Sequence, residues 1–286
     1  LLSDDPFDPT SGYSLLTKNV GKIATHGIDL TLASNGRFGK GYWQSSINFS
    51  YSKNKVTDYR GTIGATNLYL DGGRTLMPLL DKSLYPVFSY KSAGLDPVNG
   101  DPRGYKNGEI SKDYQVLATD SLQYLNYHGT ALPPIYGAWN NTIGYGKFYL
   151  DFSLLFKFGH YFKKKSIVYG SLFDSWDGHA DFAKRWQQPG DELTTTVPSM
   201  QYPNDSYRDL FYQHSSNNIV KGDLIRVQNI RLGYNFGLND KKIKGQLYIG
   251  ANNVGLIWRK NKENLDPDYL DLPAPRVISV GGNINF

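Results

Sequence analysis

The stretch from Phe148 to Phe158 has the sequence FYLDFSLLFKF, in which every second side chain is large and apolar. The apolar side chains are Phe148, Leu150, Phe152, Leu154, Phe156 and Phe158. The side chains between them are Tyr149, Asp151, Ser153, Leu155 and Lys157. Successive side chains of a β-strand point to opposite faces, so a period of two predicts a strand with one strongly apolar face. Such a face suits either the core of a β-sandwich or a lipid environment.

Similar alternation predicts further strands along the chain. They cover residues 17–33, 42–52, 84–92, 136–145, 224–236, 246–253 and 276–286. In 42–52 one face carries aromatic and aliphatic side chains, and the other carries mainly amides and hydroxyls without any charge. Most of these segments approach the roughly 9–11 residues that a tilted strand needs to cross a bilayer.

The composition of this 286-residue chain supports an all-β protein and excludes several other classes. The mean hydropathy is −0.47, and the absence of a run of about 18 apolar residues excludes a transmembrane helix. There are no cysteines, which excludes disulfides and cysteine-ligated metal sites. The aromatic fraction of 14% argues against disorder. The chain is therefore either a soluble all-β protein or a membrane barrel, whose mean hydropathy is low because half of each strand faces water.

The last predicted strand runs to the final residue, which is aromatic. One of its faces carries Ile278, Val280, Ile284 and Phe286. A terminal strand with this pattern resembles the insertion signal of bacterial outer-membrane barrels, and we interpret these four residues as a membrane-insertion strand. The alternative is the C-terminal strand of a soluble sheet.

The connections between the predicted strands are of two kinds. Residues 34–41, 144–147 and 237–244 are short and turn-like, whereas 93–134, 160–223 and 254–275 are long. From Ala93 onward the two kinds alternate, as expected of an outer-membrane barrel with short periplasmic turns and long outer loops. A consistent alternation requires one more crossing, which we place at 65–71.

The resulting count is about nine crossings, an odd number, whereas single-chain bacterial barrels have an even number of strands. Open sheet edges are not tolerated in lipid. We therefore expect residues 1–286 to be the C-terminal part of a single, larger transmembrane antiparallel β-barrel domain.

Six ordered stretches carry a resemblance to a known family. They are 19–30, 48–57, 93–102, 185–192, 224–234, and 251–254 together with 284–286. The chain resembles the C-terminal part of SusC/RagA-type TonB-dependent outer-membrane transporters of Bacteroidetes. The resemblance implies a barrel of about 22 strands, a plug domain, a TonB box and a SusD-like lipoprotein lid. The plug and the N-terminal domains are not in this chain.

The resemblance implies a function and a set of partners. The expected function is TonB-dependent uptake of a large nutrient, an oligosaccharide or a peptide, across the bacterial outer membrane. Expected partners are outer-membrane lipid and lipopolysaccharide, a SusD-like lipoprotein, TonB through the missing N-terminal region, and a larger membrane complex. One alternative is a non-transporting structural subunit of an outer-membrane assembly. A second alternative is a soluble β-rich glycan-binding module.

Aromatic residues in the long loops are candidates for contacting a ligand or a lid protein. They are Trp176, Trp186, Tyr202, Tyr207 and Tyr212. The alternative is that the loops pack on one another through these rings. The run Lys163–Lys165 is either a binding site for lipopolysaccharide phosphates or a solvated rim.

No pattern of catalytic residues is recognisable, and we do not expect an enzyme. Asp96, Asn99 and Asp101 offer oxygen atoms at short spacing, but this pattern favours successive turns over a calcium loop. The five histidines are scattered, so we predict no metal or cofactor site. The net charge of +5 comes from dispersed residues, and no nucleic-acid partner is expected.

Overall fold

The structure is a computed structural model that describes residues 1–6, 10, 12, 15–119, 121–238, 243–270 and 272–285. Its strands are β1 (Leu2–Pro6), β2 (Leu15–Asn19), β3 (Gly21–Phe38), β4 (Gly41–Tyr59), β5 (Pro86–Ser89), β6 (Ser92–Leu95), β7 (Pro102–Lys106), β8 (Glu109–Ser111), β9 (Asn126–Thr130), β10 (Ile135–Tyr145), β11 (Phe148–Phe158), β12 (Tyr161–Lys163), β13 (Ile219–Lys221), β14 (Leu224–Leu238), β15 (Ile243–Arg259) and β16 (Val277–Asn285). The helices are α1 (Tyr114–Ala118), α2 (Tyr169–Ser175) and α3 (Ser206–Gln213). Short 3-10 turns cover Thr66–Leu70, Leu122–Tyr124, Ala180–Lys184, Asp191–Leu193 and Ser216–Asn218. Within the described ranges, no helix has the length and apolar character needed to span a membrane.

The chain divides into two compact units. The first, which we name the sheet unit, comprises residues 25–53, 133–160 and 221–286. The second, which we name the loop unit, comprises residues 1–24, 54–132 and 161–220. Two of the five points at which the chain passes from one unit to the other fall within β3 and β4.

The sheet unit is built on a seven-stranded sheet with the order β16-β15-β14-β11-β10-β4-β3. Neighbouring strands from β4 to β16 pair antiparallel. In the described part of the chain the sheet does not close, so β3 and β16 are its edges. The prediction of an all-β, antiparallel sheet is confirmed.

The alternation of short and long connections is also confirmed. Two hairpins close through Gly39–Lys40 and Gly146–Lys147, in which the glycine has a positive φ of 57° and 62° respectively. Tight hairpin turns favour glycine at such positions because a side chain would clash with the backbone. The predicted third turn, 237–244, includes Asn239–Lys242, which lie outside the described residues. Long segments connect β4 to β10, β11 to β14, and β15 to β16.

The sheet has seven strands rather than the expected nine or so. The segment 65–71 forms the 3-10 turn Thr66–Leu70 instead of a crossing strand. The segment 84–92 contains β5, which pairs with β9 in a separate two-stranded sheet of the loop unit. All four residues of β5 are buried, so its apolar run reflects a small protein core. The two predicted crossings that do not form were consecutive in the chain. Because an even number is lost, the remaining strands still alternate in direction, and short and long connections still alternate.

The cross-strand register gives the seven-stranded sheet two chemically different faces. The apolar face presents Ile28, Leu30, Leu32, Trp43, Ile143, Phe148, Leu150, Phe152, Ile230, Leu232, Leu247, Ile249, Ile278, Val280 and Ile284. The polar face presents Asp29, Thr31, Gln44, Ser46, Asn48, Ser50, Asn140, Thr142, Asp151, Ser153, Asn229, Arg231, Gln246, Asn252, Ser279 and Asn283. The alternation seen in Phe148–Phe158 therefore extends over most of the sheet, with Ser45 and Asn141 as polar exceptions on the apolar face.

One row of residues across the polar face alternates tyrosine and glycine. From β4 to β16 the row is Tyr42, Gly144, Tyr149, Gly233, Tyr248 and Gly281. A Cβ atom added at any of these glycines would overlap the ring or hydroxyl of a neighbouring tyrosine. The glycines thus let the tyrosine side chains lie against the neighbouring strands, which fixes the register near the short turns.

Gly233→Ala should destabilise the sheet because the new methyl group overlaps the Tyr149 ring. Overpacking of this kind costs about 1–3 kcal/mol of unfolding free energy. Urea unfolding in detergent, followed by tryptophan fluorescence, measures the change.

Gly237→Ala is the matched control on the same strand. A Cβ atom there meets only the Ile243 carbonyl oxygen, at 3.8 Å, an ordinary contact. Equal effects of the two substitutions would contradict the proposed packing of Tyr149 on Gly233.

The loop unit has apolar cores of its own. One core contains Tyr69, Leu70, Phe88, Tyr90, Tyr114, Leu117, Leu125 and Phe211. A second contains Ile167, Tyr169, Val197 and Tyr212. These cores explain why the long segments between the sheet strands form compact structure.

Candidate functional site

The polar face of the sheet is the first candidate site, and its side chains are connected by hydrogen bonds. Ser153 Oγ donates to Asn140 Oδ1 at 2.6 Å, and Thr31 Oγ1 donates to Asn48 Oδ1 at 3.1 Å. A depression of about 420 Å³ lies within this unit, and its lining includes Gln44, Ser46, Asn140, Thr142, Ser153 and Asn229. Amides and hydroxyls both donate and accept hydrogen bonds, so this surface can contact polar solutes without requiring a charge.

Two charged groups of the polar face lie opposite each other on neighbouring strands. Asp151 of β11 is directly opposite Arg231 of β14. The Arg231 guanidinium lies 4.7 Å from the centroid of the Tyr248 ring, which is a cation–π contact. The Arg231 charge therefore has two neighbours on the polar face, the Asp151 carboxylate and the Tyr248 ring.

The connection between β15 and β16 is anchored by ion pairs. The Arg226 side chain is buried, and its Nη2 atom lies 2.6 and 2.7 Å from the two carboxylate oxygens of Asp266. Lys157 Nζ donates to Asp268 Oδ1 at 2.7 Å. Removing one partner of a buried pair is costly, so these contacts hold the connection near the ends of β11 and β14.

The structure places the predicted insertion strand at one edge of the sheet, in β16. Ile278 and Val280 are 74% and 79% exposed, and Ile284 is also exposed. All three lie on the apolar face, whereas Phe286 lies outside the described residues. Their role in insertion stays a prediction.

The predicted loop aromatics separate into buried and exposed residues. Trp186 and Tyr212 are only 7% and 2% exposed, so their rings are not available to a surface ligand. Trp186 packs against Gly100, and the Tyr212 hydroxyl lies 2.9 Å from Ser166 Oγ. Trp186 and Tyr212 therefore pack within the loops, which was the alternative to contact with a ligand or a lid protein.

The other three predicted aromatics reach the surface of the loop unit. Trp176 is 91% exposed at the end of α2, and Tyr202 is 79% exposed with its ring edge-on to Phe173. Tyr207 on α3 is exposed to a smaller extent. They remain candidates for contacting a partner or a ligand.

The Asp96–Asp101 segment is a turn held by basic side chains. Asp96 accepts from the Val98 N–H at 2.8 Å and from Lys112 Nζ at 2.7 Å, and the Lys112 contact lowers the pKa of Asp96. Asp101 accepts from Arg208 Nε at 3.0 Å. The turn interpretation is therefore favoured, and within the described ranges no three acidic or histidine side chains are grouped to hold a metal ion.

Arg208 is a structural residue that the sequence did not single out. It is almost fully buried, and its Nη2 atom donates to the Ser199 carbonyl oxygen at 2.8 Å. It lies on a short helix among aromatic residues, a context in which a sequence pattern cannot separate a buried arginine from an exposed one.

Lys163 and His214 form a partly buried basic pair in the loop unit. Lys163 Nζ lies 2.9 Å from His214 Nδ1 and donates to the Leu70 carbonyl oxygen at 3.1 Å. Burial, followed by the charge of Lys163, lowers the pKa of His214 to about 4. Burial and the nearby Arg74 lower the pKa of Lys163 to about 8. At neutral pH the lysine is therefore charged and the histidine is neutral.

The low pKa of His214 predicts a specific dependence on pH. Between its ordinary value of 6.5 and about 4, the unfolded chain binds more protons than the folded chain at this residue. Stability from this group is therefore lost as the pH falls through that window. Lys163→Met should raise the pKa of His214, because the substitution removes a neighbouring positive charge but keeps much of the bulk.

Carbon NMR of labelled histidine in detergent measures this pKa, with His214→Asn assigning the resonance. Lys91→Met removes an exposed lysine of the same unit and should leave the pKa of His214 unchanged. An unchanged pKa in Lys163→Met would contradict the proposed pair.

Comparison with known proteins shows a likeness at the level of the fold. The chain matches no protein-family model and no curated protein sequence. It is similar to a chain in "Structure of the RagAB peptide transporter", with a TM-score of 0.69 and 18% identity over 99% of this chain. The "closed-closed" and "open-open" states of the RagAB peptide importer give TM-scores of 0.70 and 0.67, at 17% and 18% identity.

The match covers only 31–32% of each of those solved chains, so this chain spans about a third of their length. The likeness extends over nearly all of the present chain, including both units. It confirms the predicted fold, an all-β architecture corresponding to part of an antiparallel barrel.

Proposed function

We propose that residues 1–286 are part of an outer-membrane β-barrel that imports a large polar nutrient as a SusC-like, TonB-dependent transporter. The observation that carries this proposal is the seven-stranded sheet with an exposed apolar face and a hydrogen-bonding polar face. In a barrel the first face contacts lipid and the second lines the lumen.

The apolar face supports placement in a membrane. A large apolar side chain gains about 1.5–3 kcal/mol on full removal from water. Many side chains of this face, from Ile28 on β3 to Ile284 on β16, are exposed in the chain by itself. The strands of the sheet have 9 to 19 residues, which meets the length of about 9–11 residues required for a tilted crossing.

The open edges of the sheet support a larger barrel. β3 and β16 each present unpaired backbone groups at one side in the described chain. Such groups have no hydrogen-bonding partner in hydrocarbon, so further strands are needed to close the sheet. We place the plug and the segment that meets TonB in the remainder of that larger protein.

The polar face supports a polar substrate such as a peptide or an oligosaccharide. Its amides and hydroxyls can exchange hydrogen bonds with either class as the solute passes. The similar solved structures are named as a peptide transporter and a peptide importer, which favours a peptide. We propose no enzymatic role.

The loop unit supports contact with a lid protein. Trp176, Tyr202 and Tyr207 expose aromatic rings there, and aromatic residues are enriched at protein interfaces. We propose a SusD-like lipoprotein as the partner and lipopolysaccharide as the surrounding outer lipid.

A non-transporting structural subunit would share the same two-faced sheet. Uptake of labelled peptides by cells carrying the full-length protein separates the two functions, because only a transporter supports accumulation. The apolar face disfavours a soluble glycan-binding module.

Ile230→Arg and Asn229→Arg test the orientation of the sheet in the membrane. Ile230 lies on the apolar face and Asn229 on the polar face of the same strand. Arginine at the lipid face should cost about 2–4 kcal/mol near the bilayer midplane, whereas arginine in the lumen is tolerated.

Unfolding of the two variants in lipid vesicles measures this difference. Equal destabilisation, or a larger effect of Asn229→Arg, would contradict the membrane assignment.

A further inference from the structure

Two basic side chains of the sheet unit lie on its polar face, at the end of the strands away from the Gly146–Lys147 turn. Lys157 of β11 is in phase with Ser153, which belongs to that face. Arg226 of β14 lies opposite Leu155, which is also in phase with Ser153. Cross-strand neighbours project to the same side of a sheet, so both cations project from the polar face. We name Lys157 and Arg226 the rim site.

The connection between β15 and β16 fills the rim site with carboxylates. Asp266 places its two carboxylate oxygens 2.6 and 2.7 Å from Arg226 Nη2. Asp268 bridges the two cations, with Oδ1 at 2.7 Å from Lys157 Nζ and Oδ2 at 3.5 Å from Arg226 Nη2. The Tyr269 ring centroid lies 5.2 Å from the Arg226 guanidinium, a cation–π contact. The segment Asp266–Tyr269, of sequence DPDY, therefore occupies the rim site as an acidic peptide would.

The segment that covers the rim site forms a turn through its own hydrogen bonds. The Asp268 N–H donates to Asp266 Oδ1 at 3.0 Å, and the Tyr269 N–H donates to the Asp266 carbonyl oxygen at 3.2 Å. Both bonds are local to the segment. The turn can therefore form whether or not its carboxylates contact the two cations.

The pairing with Asp266 leaves part of the Arg226 side chain unused. Both oxygens of Asp266 approach the single Nη2 atom, whereas the arginine fork pairs two nitrogen atoms with the two oxygens of a carboxylate. Arg226 Nε is buried and has no hydrogen-bond partner among the described residues. A buried donor without a partner is unfavourable. A ligand carboxylate that accepts from both Nε and Nη2 can therefore compete with Asp266.

The covering contacts are accessible to a competing ligand. The side chains of Lys157, Asp266 and Asp268 are each 21–29% exposed, whereas Arg226 is buried beneath them. An ion pair in contact with water contributes little net stability, so the Lys157–Asp268 contact can exchange. A buried charge requires a partner, and a ligand carboxylate supplies that partner to Arg226 when the turn moves away.

We propose that the rim site binds carboxylate groups of an acidic peptide and that Asp266–Tyr269 covers it as an internal competitor. Lys157 and Arg226 contact the carboxylate oxygens of the ligand. This inference rests on the proposed import of a large polar nutrient, and it names the substrate class as peptides rich in aspartate or glutamate. Because the ligand displaces the cover, its apparent affinity is reduced by the fraction of molecules in which the site is covered.

Fluorescence anisotropy with the full-length protein in zwitterionic detergent tests the site. The probes are the labelled, acetylated and amidated peptide DPDY, which has the sequence of the cover, and its uncharged analogue NPNY. Saturable binding of DPDY without saturable binding of NPNY is the expected result. Equal affinity for the two peptides, or no saturable binding of DPDY by the Asp268→Asn variant, would overturn the proposal.

Asp268→Asn removes a carboxylate from the cover and leaves both cations in place. It should strengthen the binding of DPDY about tenfold, the effect of one charge-assisted hydrogen bond lost by the competitor. A purely structural role of these ion pairs predicts no such gain, so unchanged or weaker binding would overturn the competition. Lys157→Met, added to Asp268→Asn, removes a contact of the ligand alone and should weaken binding about tenfold.

Glu109→Gln is the matched control for charge. It makes the same change of net charge at an exposed residue of the loop unit and should leave the affinity for DPDY unchanged. A gain equal to that of Asp268→Asn would show that the peptide responds only to net charge, and would overturn the site.

Uptake of the two peptides by cells carrying the full-length protein keeps the site and the transport function apart. Accumulation of DPDY in preference to NPNY supports both. Binding of DPDY to the purified protein without accumulation of either peptide would contradict transport and support the site. Equal accumulation of the two peptides would support transport and contradict the proposed substrate class.

Discussion

The structure depends on one constraint. Large apolar side chains project from one face of the seven-stranded sheet, and this face must be kept out of water. In water, their exposure would weaken a fold whose net stability is normally only about 5–15 kcal/mol. In lipid the same side chains are favourable, and the backbone of each paired strand is already hydrogen-bonded. The opposite face must then carry the groups that meet water, and it is rich in amides and hydroxyls.

The same constraint accounts for the arrangement of the connections. Strands that cross one layer in alternating directions can be joined by tight turns at one end, as at Gly39–Lys40 and Gly146–Lys147. The other connections are long enough to bury apolar residues among themselves, and they form the two cores of the loop unit. The chain thus separates a sheet whose apolar side chains are exposed from loops whose aromatic residues are largely buried.

Much of the sheet was predictable from the sequence because each crossing strand has its own period of two. β10 and β11 agree closely with the predicted limits, and β14 extends two residues further. β15 has 17 residues where only 246–253 was predicted, so it includes the start of the segment predicted as the loop 254–275. The prediction at 84–92 was wrong because β5 is buried on both faces, and a short apolar run does not reveal what covers it. The burial of Trp186 and Tyr212 was likewise beyond sequence reasoning, since long loops place aromatics either inside or outside.

Contacts between distant residues were the least predictable part of the candidate sites. Lys163 and His214 meet although 51 positions separate them, and Arg226 meets Asp266 across 40 positions. No local pattern encodes such a pair. The Lys163–Lys165 run was visible in the sequence, but its association with Arg74 and His179 around a cavity depends on the fold of the loop unit.

Accessibility of spin labels along β15 tests the two-faced sheet most directly. The chain has no cysteine, so single cysteines can be introduced at each position from Gln246 to Ala251 and labelled after reconstitution into bilayers. Labels at Leu247, Ile249 and Ala251 should collide mainly with lipid-soluble oxygen, and labels at Gln246, Tyr248 and Gly250 mainly with a water-soluble nickel chelate. Uniform accessibility along the strand, or the opposite phase, would contradict a membrane-spanning barrel wall.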